Sequence, residues 1–327
     1  MTHDGSFNLA KSMVRAAAEC GVDAVKLQAH IAEEETLPSA PPPPYFSGET
    51  RISYFKRTAF SQEQYRELGA LARSCGVAFV ASPFSEAALE LLLRAGVEVL
   101  KVPSGEVTNT PLLRLMAATG LPVLLSSGMS SVRELDRAAA VLRRGRSPWA
   151  VLQCTSLYPC PYEKVGLNLL AELGRRYLCP VGLSDHTLTT HASLAAVTLG
   201  ARILERHFTV SKKLYGPDAR FSLEPAEMQG LVEGVRAVEA MLLHPVDKDR
   251  LCGSLKGMKS VFEKSVVSRR DIGRGEVIRA ADVAVKKPGG GIPPDRLGDV
   301  VGSAARVEIP KDRQIAPSML RRRTCAR

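Results

Sequence analysis

No apolar run in this 327-residue chain approaches the roughly 18 residues that cross a bilayer; the longest are strand-sized and broken by charge. The opening MTHDGSFN has neither a basic n-region nor an apolar h-region, so no secretory leader is read there. Cysteine is sparse and scattered: an odd seven residues, at positions 20, 75, 154, 160, 179, 252 and 325, with no CxxC pair. That pattern argues against a disulfide framework and for reduced thiols in a cytoplasmic protein. Cys154 and Cys160 flank a loop at a strand end, where a small apolar filler is the expected use. A zinc finger, an RNP-like aromatic run and a helix-turn-helix spacing are all missing, although the net charge is +10. Basic residues are spread along the chain and densest in the tail RRRTCAR (321–327). A solvated tail and an anionic small substrate therefore explain the charge better than nucleic acid does.

What is present is a repeat. Strand-like runs VDAVKLQ (22–28), VAFVAS (77–82), VEVLKVPS (97–104), PVLLSS (122–127), WAVLQCTS (149–156), PVGLSDH (180–186) and RILERH (202–207) alternate with amphipathic stretches such as FNLAKSMVRAAAEC and EAALELLLRAG. Alternation of this kind makes a parallel sheet. The first helix, near 7–19, precedes the first visible strand, and a helix in such a repeat follows a strand. The expected fold is therefore a (β/α)8 TIM barrel whose first strand is largely missing from this chain, with a seven-unit open sheet as the rival.

The strand ends favour the barrel, whose C-terminal rim is its active face. They carry Lys26 and Gln28, Ser82, Lys101, Ser104 and Glu106, Ser126 and Ser127, Thr155, Ser156 and Tyr158, Ser184, Asp185 and His186, and Glu205 and His207. A packing account does not require such a ring, since each buried polar group without a partner costs roughly 1 to 3 kcal/mol. The stretch 29–60, including PPPP at 41–44, reads as a rigid excursion over the mouth, and 211–225 as a second one that brings Asp218 to it. Beyond residue 245 the pattern changes. Residues 1–245 form the barrel domain, 246–263 a linker, and 264–327 a small β-rich domain with turns at GRG and PGGG.

His186 and His207, at equivalent strand ends, suit a divalent metal, with water and substrate completing its shell. Lys26 and Lys101 sit inside buried strands, where an anionic partner explains the charge. At about 4 Å and an effective dielectric near 20, each would attract a phosphate oxygen by on the order of 4 kcal/mol before desolvation. Glu106 and Asp218 are the acid/base candidates, and Tyr158 offers a hydroxyl and an apolar ring.

The blocks GVDAVKLQ, ASPFS, KVPSGEVTNTPLL, LSSGM, QCTSLYPCPYEKVGLN, GLSDHT, ERHFT and GPDARFSLEP, in this order, resemble the sialic acid (N-acetylneuraminate) synthase family. The segment KSVVSRRDIGRGEVI with KKPGGGI and VVG resembles its antifreeze-like SAF domain. The resemblance implies a metal-dependent enzyme that condenses phosphoenolpyruvate with an N-acylated amino sugar such as N-acetylmannosamine, giving a nine-carbon ulosonic acid and phosphate. It implies Mn or Mg on His186 and His207, phosphoenolpyruvate on Lys26, Ser82, Lys101, Ser104, Ser126, Ser156 and Ser184, proton exchange by Glu106, and sugar contacts by Tyr158 and Asp218. It also implies a domain-swapped homodimer in which Lys287, standing where many members have Arg, reaches the partner's site. Departures are the family's first strand with its acidic residue, absent here, and Ser156 where some members have Asn. Alternatives are a legionaminic or pseudaminic acid synthase, and a non-catalytic binding protein on the same scaffold.

Overall fold

The computed structural model describes residues 2–41 and 49–321. Most of the proline run, the basic tail beyond Arg321 and Cys325 lie outside the described residues. The chain divides into two compact units, Met1–His244 and Pro245–Arg327.

In the first unit, α1 (Phe7–Glu19) leads into β1 (Ala24–Ala29), followed by the short α2 (Ala32–Glu35), α3 (Arg51–Thr58) and α4 (Gln62–Ser74). Strand and helix then alternate: β2 (Ala78–Pro83), α5 (Glu86–Ala95), β3 (Val99–Val102), α6 (Thr110–Ala118), β4 (Val123–Ser126), α7 (Val132–Arg144) and β5 (Trp149–Cys154). The series closes with α8 (Leu169–Tyr177), β6 (Val181–Asp185), α9 (His191–Thr198), β7 (Ile203–Arg206) and α10 (Pro225–Leu243). Side-chain caps start many of these helices; Ser61 and Ser131 form full capping boxes with Gln64 and Glu134, satisfying amides that the helix cannot.

The seven strands are parallel and lie in sequence order, β1 to β7. An open sheet would leave its first and last strands far apart. Here Lys26 on β1 and Glu205 on β7 approach to 3.3 Å, so the sheet curls until its two edges face each other. The open-sheet rival is thereby excluded. Each neighbouring pair is ladder-bonded, but β1 pairs only with β2 and β7 only with β6. The main core lies between the strands and the outer helices, where Leu68, Leu92, Leu100, Leu125 and Leu142 are almost wholly buried.

The second unit begins with α11 (Lys248–Ser254) and α12 (Lys256–Phe262), so the stretch expected as a linker is largely helical. β8 (Ser265–Ser268) pairs antiparallel with β9 (Val283–Lys286), and β10 (Ala304–Ala305) with β11 (Leu320–Arg321). Val266, Ile278, Val300 and Ile315 make its own small core. Among the described residues no helix is long and apolar enough to cross a membrane.

Candidate active site

Strand period decides which residues reach the mouth. Side chains alternate across a strand, so Ser184 and His186 share one face and Asp185 takes the other; likewise Glu205 and His207 oppose Arg206. The inward set lines a cavity of about 240 Å3 together with Lys26, Lys101, Ser104, Ser126, Cys154, Tyr158 and Asp218.

Its floor is a charge cluster. Glu205 lies 3.3 Å from Lys26 Nζ and 3.7 Å from Lys101 Nζ, and accepts a 2.6 Å hydrogen bond from Ser184 Oγ. Burial would raise the Glu205 carboxyl, but the two lysines and Ser184 overcome it and hold the group well below the usual carboxylate range. Lys101 is 2% exposed, and this desolvation pulls its ammonium below the ordinary lysine value while Glu205 pulls the other way. Two cations against one carboxylate leave a positive excess at the cavity floor.

Beside it the hydroxyls converge. Ser104 Oγ and Ser126 Oγ are 3.0 Å apart. At Gly128 a Cβ would collide with the Ser104 and Ser156 hydroxyls as they stand, so a side chain there would displace them. Ser82 Oγ is fully buried without a hydrogen-bond partner. An orphaned hydroxyl, a serine pocket backed by glycine and an excess of ammonium charge together suit an oxyanion.

The opposite wall is imidazole. The His186 and His207 rings are 5.4 Å apart, and the Tyr158 ring stands 4.3 Å from His186 and 5.9 Å from His207. His186 Nδ1 is 3.1 Å from the Thr155 carbonyl oxygen, which assigns the proton to Nδ1 and turns the Nε2 lone pair outward. Burial would lower His186, but Cys154 at 3.9 Å, the Thr155 carbonyl and Glu205 raise it on balance. Burial lowers His207 to about 4 despite the nearby Asp218 charge, so its imidazole is neutral at neutral pH. Two histidines with available lone pairs fit an open divalent site; no group of three His, Cys, Asp or Glu suited to a metal occurs among the described residues.

Other expected residues lie elsewhere. Glu106 is in a single 3-10 turn just past Ser104, off the cavity wall, and accepts a 2.8 Å bond from Asn109 Nδ2. Burial raises its carboxyl, which suits proton exchange. Ser82 and Ser156 are not among the residues that line the cavity. Lys287 belongs to the second unit, with Nζ 5.1 Å from the Phe262 ring centre.

Asp185 is a correction: it faces away from the cavity, pairs with Arg206, and accepts from Ser193 Oγ at 2.6 Å and the Thr187 amide at 2.8 Å. Ser127 and Thr155 are also spent internally, on Gln153 and the Lys164 carbonyl. Cys154, expected as filler, lines the cavity, and burial is outweighed by His186 and the serines so that its thiol is lowered to about 7. Arg51 and Phe55 were not anticipated. They arrive on α3, inside the stretch read as a rigid excursion over the mouth, and the Thr50 cap on the Ser53 amide was the sequence signal for that helix. His30, stacked between Phe55 and Phe84 at 3.9 and 4.0 Å and bonded to Glu35 at 2.7 Å, completes this wall.

The chain is 32% identical over 323 residues to N,N'-diacetyllegionaminic acid synthase of Campylobacter jejuni, covering 96% of both chains. It is 35% identical to human N-acetylneuraminate-9-phosphate synthase, covering 97% of this chain and 90% of that one. The crystal structure of N-acetylneuraminic acid (sialic acid) synthetase from Leptospira borgpetersenii in complex with citrate superposes with a TM-score of 0.69 at 31% identity, over 78% of this chain and 88% of that one. A SAF domain matches residues 263–321, the NeuB family matches residues 13–246, and the chain belongs to the NeuB family.

Proposed function

We propose that this protein joins phosphoenolpyruvate to the open-chain aldehyde of an N-acylated amino sugar, releasing phosphate and a nine-carbon ulosonic acid. The observation that carries this reading is the cavity floor, where Lys26 and Lys101 flank a single Glu205 beside converging serines and face two histidines. The relatives named as synthases of legionaminic and N-acetylneuraminate-type sugars support it.

In this reading Lys26, Lys101, Ser104, Ser126 and Ser184 hold the phosphate and carboxylate, with Ser82 and Ser156 in support. Tyr158, tilted against His186 and edge-on to His207, places the sugar with its aldehyde toward the imidazole wall. C3 of the enol forms a bond to the aldehyde carbon, whose oxygen takes a proton and becomes a hydroxyl. Water adds at C2, its spare proton passing to Glu106, and the C2–O bond to phosphate breaks as the ketone forms. Glu106 suits both directions of transfer because burial raises its carboxyl. Asp218 is a carboxylate rather than an acid here: burial opposes its charge, but favourable electrostatics, that of Lys26 included, hold it well below the usual range. His186 and His207 would hold a Mn or Mg ion, which when bound supplies Lewis-acid polarisation of a carbonyl oxygen. Lys287 would serve the partner subunit's cavity in a domain-swapped homodimer.

The test is phosphate release from phosphoenolpyruvate with a panel of N-acylated amino sugars, with and without Mn. Release that requires both sugar and metal is expected. Binding of phosphoenolpyruvate without release on any sugar would replace this reading with a binding protein on the same scaffold.

A further inference from the structure

The cavity has a floor and a rim. Lys26, Lys101 and Glu205 sit within β1, β3 and β7 and make the floor, whereas His30, Phe84 and Pro103 directly follow the last residues of β1, β2 and β3 and stand at the rim. His186 and His207 directly follow β6 and β7, so they hold the rim on the other side. α3 lies over the first of these rims, because Phe55 stacks on His30 at 3.9 Å, and it delivers Arg51 to the cavity.

Arg51 differs from the other cations around this cavity. Lys26 and Lys101 share Glu205, and Arg206 pairs with Asp185. Arg51 forms no ion pair with a described residue; its guanidinium lies 5.4 Å from the Phe55 ring centre, and its Nε is buried without a hydrogen-bond partner. Its charge is felt inside the site. Burial raises the Glu106 carboxyl and Arg51 pulls it back, and Arg51 adds to the burial that lowers His30. The platform beneath it is fixed at both ends: the Thr50 side chain caps the first turn of α3, and Arg57 in the last turn bridges to Asp4 at 2.9 Å and Glu49 at 2.8 Å. A guanidinium held on an aromatic face, with an unspent buried N–H and no carboxylate to answer its charge, is a fork for an anion.

This inference rests on the synthase reading, in which phosphoenolpyruvate fills the floor and the sugar aldehyde meets the imidazole wall. The rest of an open-chain sugar then runs across the mouth toward the rim that carries Arg51. We propose that Arg51 is a specificity-determining residue that binds an anionic group, a phosphate monoester or a carboxylate, carried by the amino sugar at the end remote from its aldehyde. Either group accepts paired N–H bonds from a guanidinium, whereas a neutral hydroxyl end leaves the charge unanswered.

The experiment measures phosphate release from phosphoenolpyruvate with N-acetylmannosamine, its 6-phosphate and its 6-carboxylate (the uronic acid), in the full chain and in Arg51→Gln and Arg51→Lys. One of the charged sugars is expected to exceed the neutral one in kcat/KM by about a hundredfold in the parent; Arg51→Gln abolishes that advantage, and Arg51→Lys, which keeps the charge and loses the fork, retains part of it. Which charged sugar wins distinguishes ester from carboxylate. A parent that uses the neutral sugar as well as both charged ones would overturn the proposal. So would an Arg51→Gln chain that keeps the preference, or one that raises the KM for phosphoenolpyruvate and leaves the preference intact. Calorimetric titration of the metal-free chains with the same sugars needs no turnover. Tighter, Arg51-dependent binding of a charged sugar without phosphate release from any of them would sink the synthase reading and keep the anion subsite; equal binding of charged and neutral sugars would sink the subsite.

Discussion

Two carboxylates on adjacent strand ends, the half-buried Glu205 on β7 and the buried Asp185 on β6, are both salt-bridged and both bonded to a serine, yet they do different things. Asp185 meets one arginine, one serine and one amide, and Arg206 spends both terminal nitrogens on Asp185, Thr187 and Thr189, leaving only Nε without a partner. Charge balances there, and no cavity is needed to explain it. Glu205 meets two lysines, so the charge does not balance, and the excess faces a cavity. Imbalance, rather than burial or pairing, marks the functional cluster. A closed pair holds β6 to β7; an open one holds a place for an anion.

The strongest way to break this distinction is to replace Lys101 with Met. If the excess charge binds phosphoenolpyruvate, kcat/KM falls by about 10^2 to 10^3-fold while the melting midpoint stays near that of the parent. A variant that loses fold and activity in parallel would show Lys101 to be another structural pair member.

Asp185→Asn should do the reverse. It strands a buried guanidinium, and breaking a buried pair by one partner costs about 3 to 5 kcal/mol, read as a lowered urea midpoint. Folded Asp185→Asn, assayed below its transition, is expected to keep a near-parental KM for phosphoenolpyruvate; a raised KM would erase the contrast.

Gly128→Ala sharpens the serine side of the cavity. Its new methyl displaces the Ser104 and Ser156 hydroxyls, so KM for phosphoenolpyruvate should rise about tenfold, some 1.4 kcal/mol, with little change in the sugar's KM. An equal rise for both substrates would move the phosphate site elsewhere.

The smallest effect is in pH. His207 is held down to about 4 when folded and titrates near 6.5 when unfolded. Between those values the unfolded chain binds more protons, so this histidine's contribution is fully present above about pH 6.5 and is lost as pH falls toward 4. His186 is raised and contributes with the opposite sign, so the comparison needs a variant. Between pH 7.5 and 5, the metal-free parent should lose a few tenths of a molar in urea midpoint relative to His207→Gln; identical slopes would mean that His207 is charged in the fold.

Much of this was legible before any coordinates. All seven strand runs form strands within a residue or two, because each is a short apolar stretch between turn signals and amphipathic helices. The same sequence also contained the exclusion of Asp185. A period of two puts Ser184 and His186 on one face and Asp185 on the other, and grouping the three as one polar end overlooked it. α3 was less visible, because proline and charge around it read as a rigid excursion while its capping threonine is a single residue.

Sequence by itself settled the strands, their order and the residue types at the rim, since these follow from local periodicity. Only the tertiary structure decided that Lys26 and Glu205 meet and that Glu205 is shared by two lysines. The reason is that a strand's pattern records which face is apolar, whereas curvature and closure depend on how every strand packs against its neighbours. A local pattern does not encode the distance between the first strand and the last.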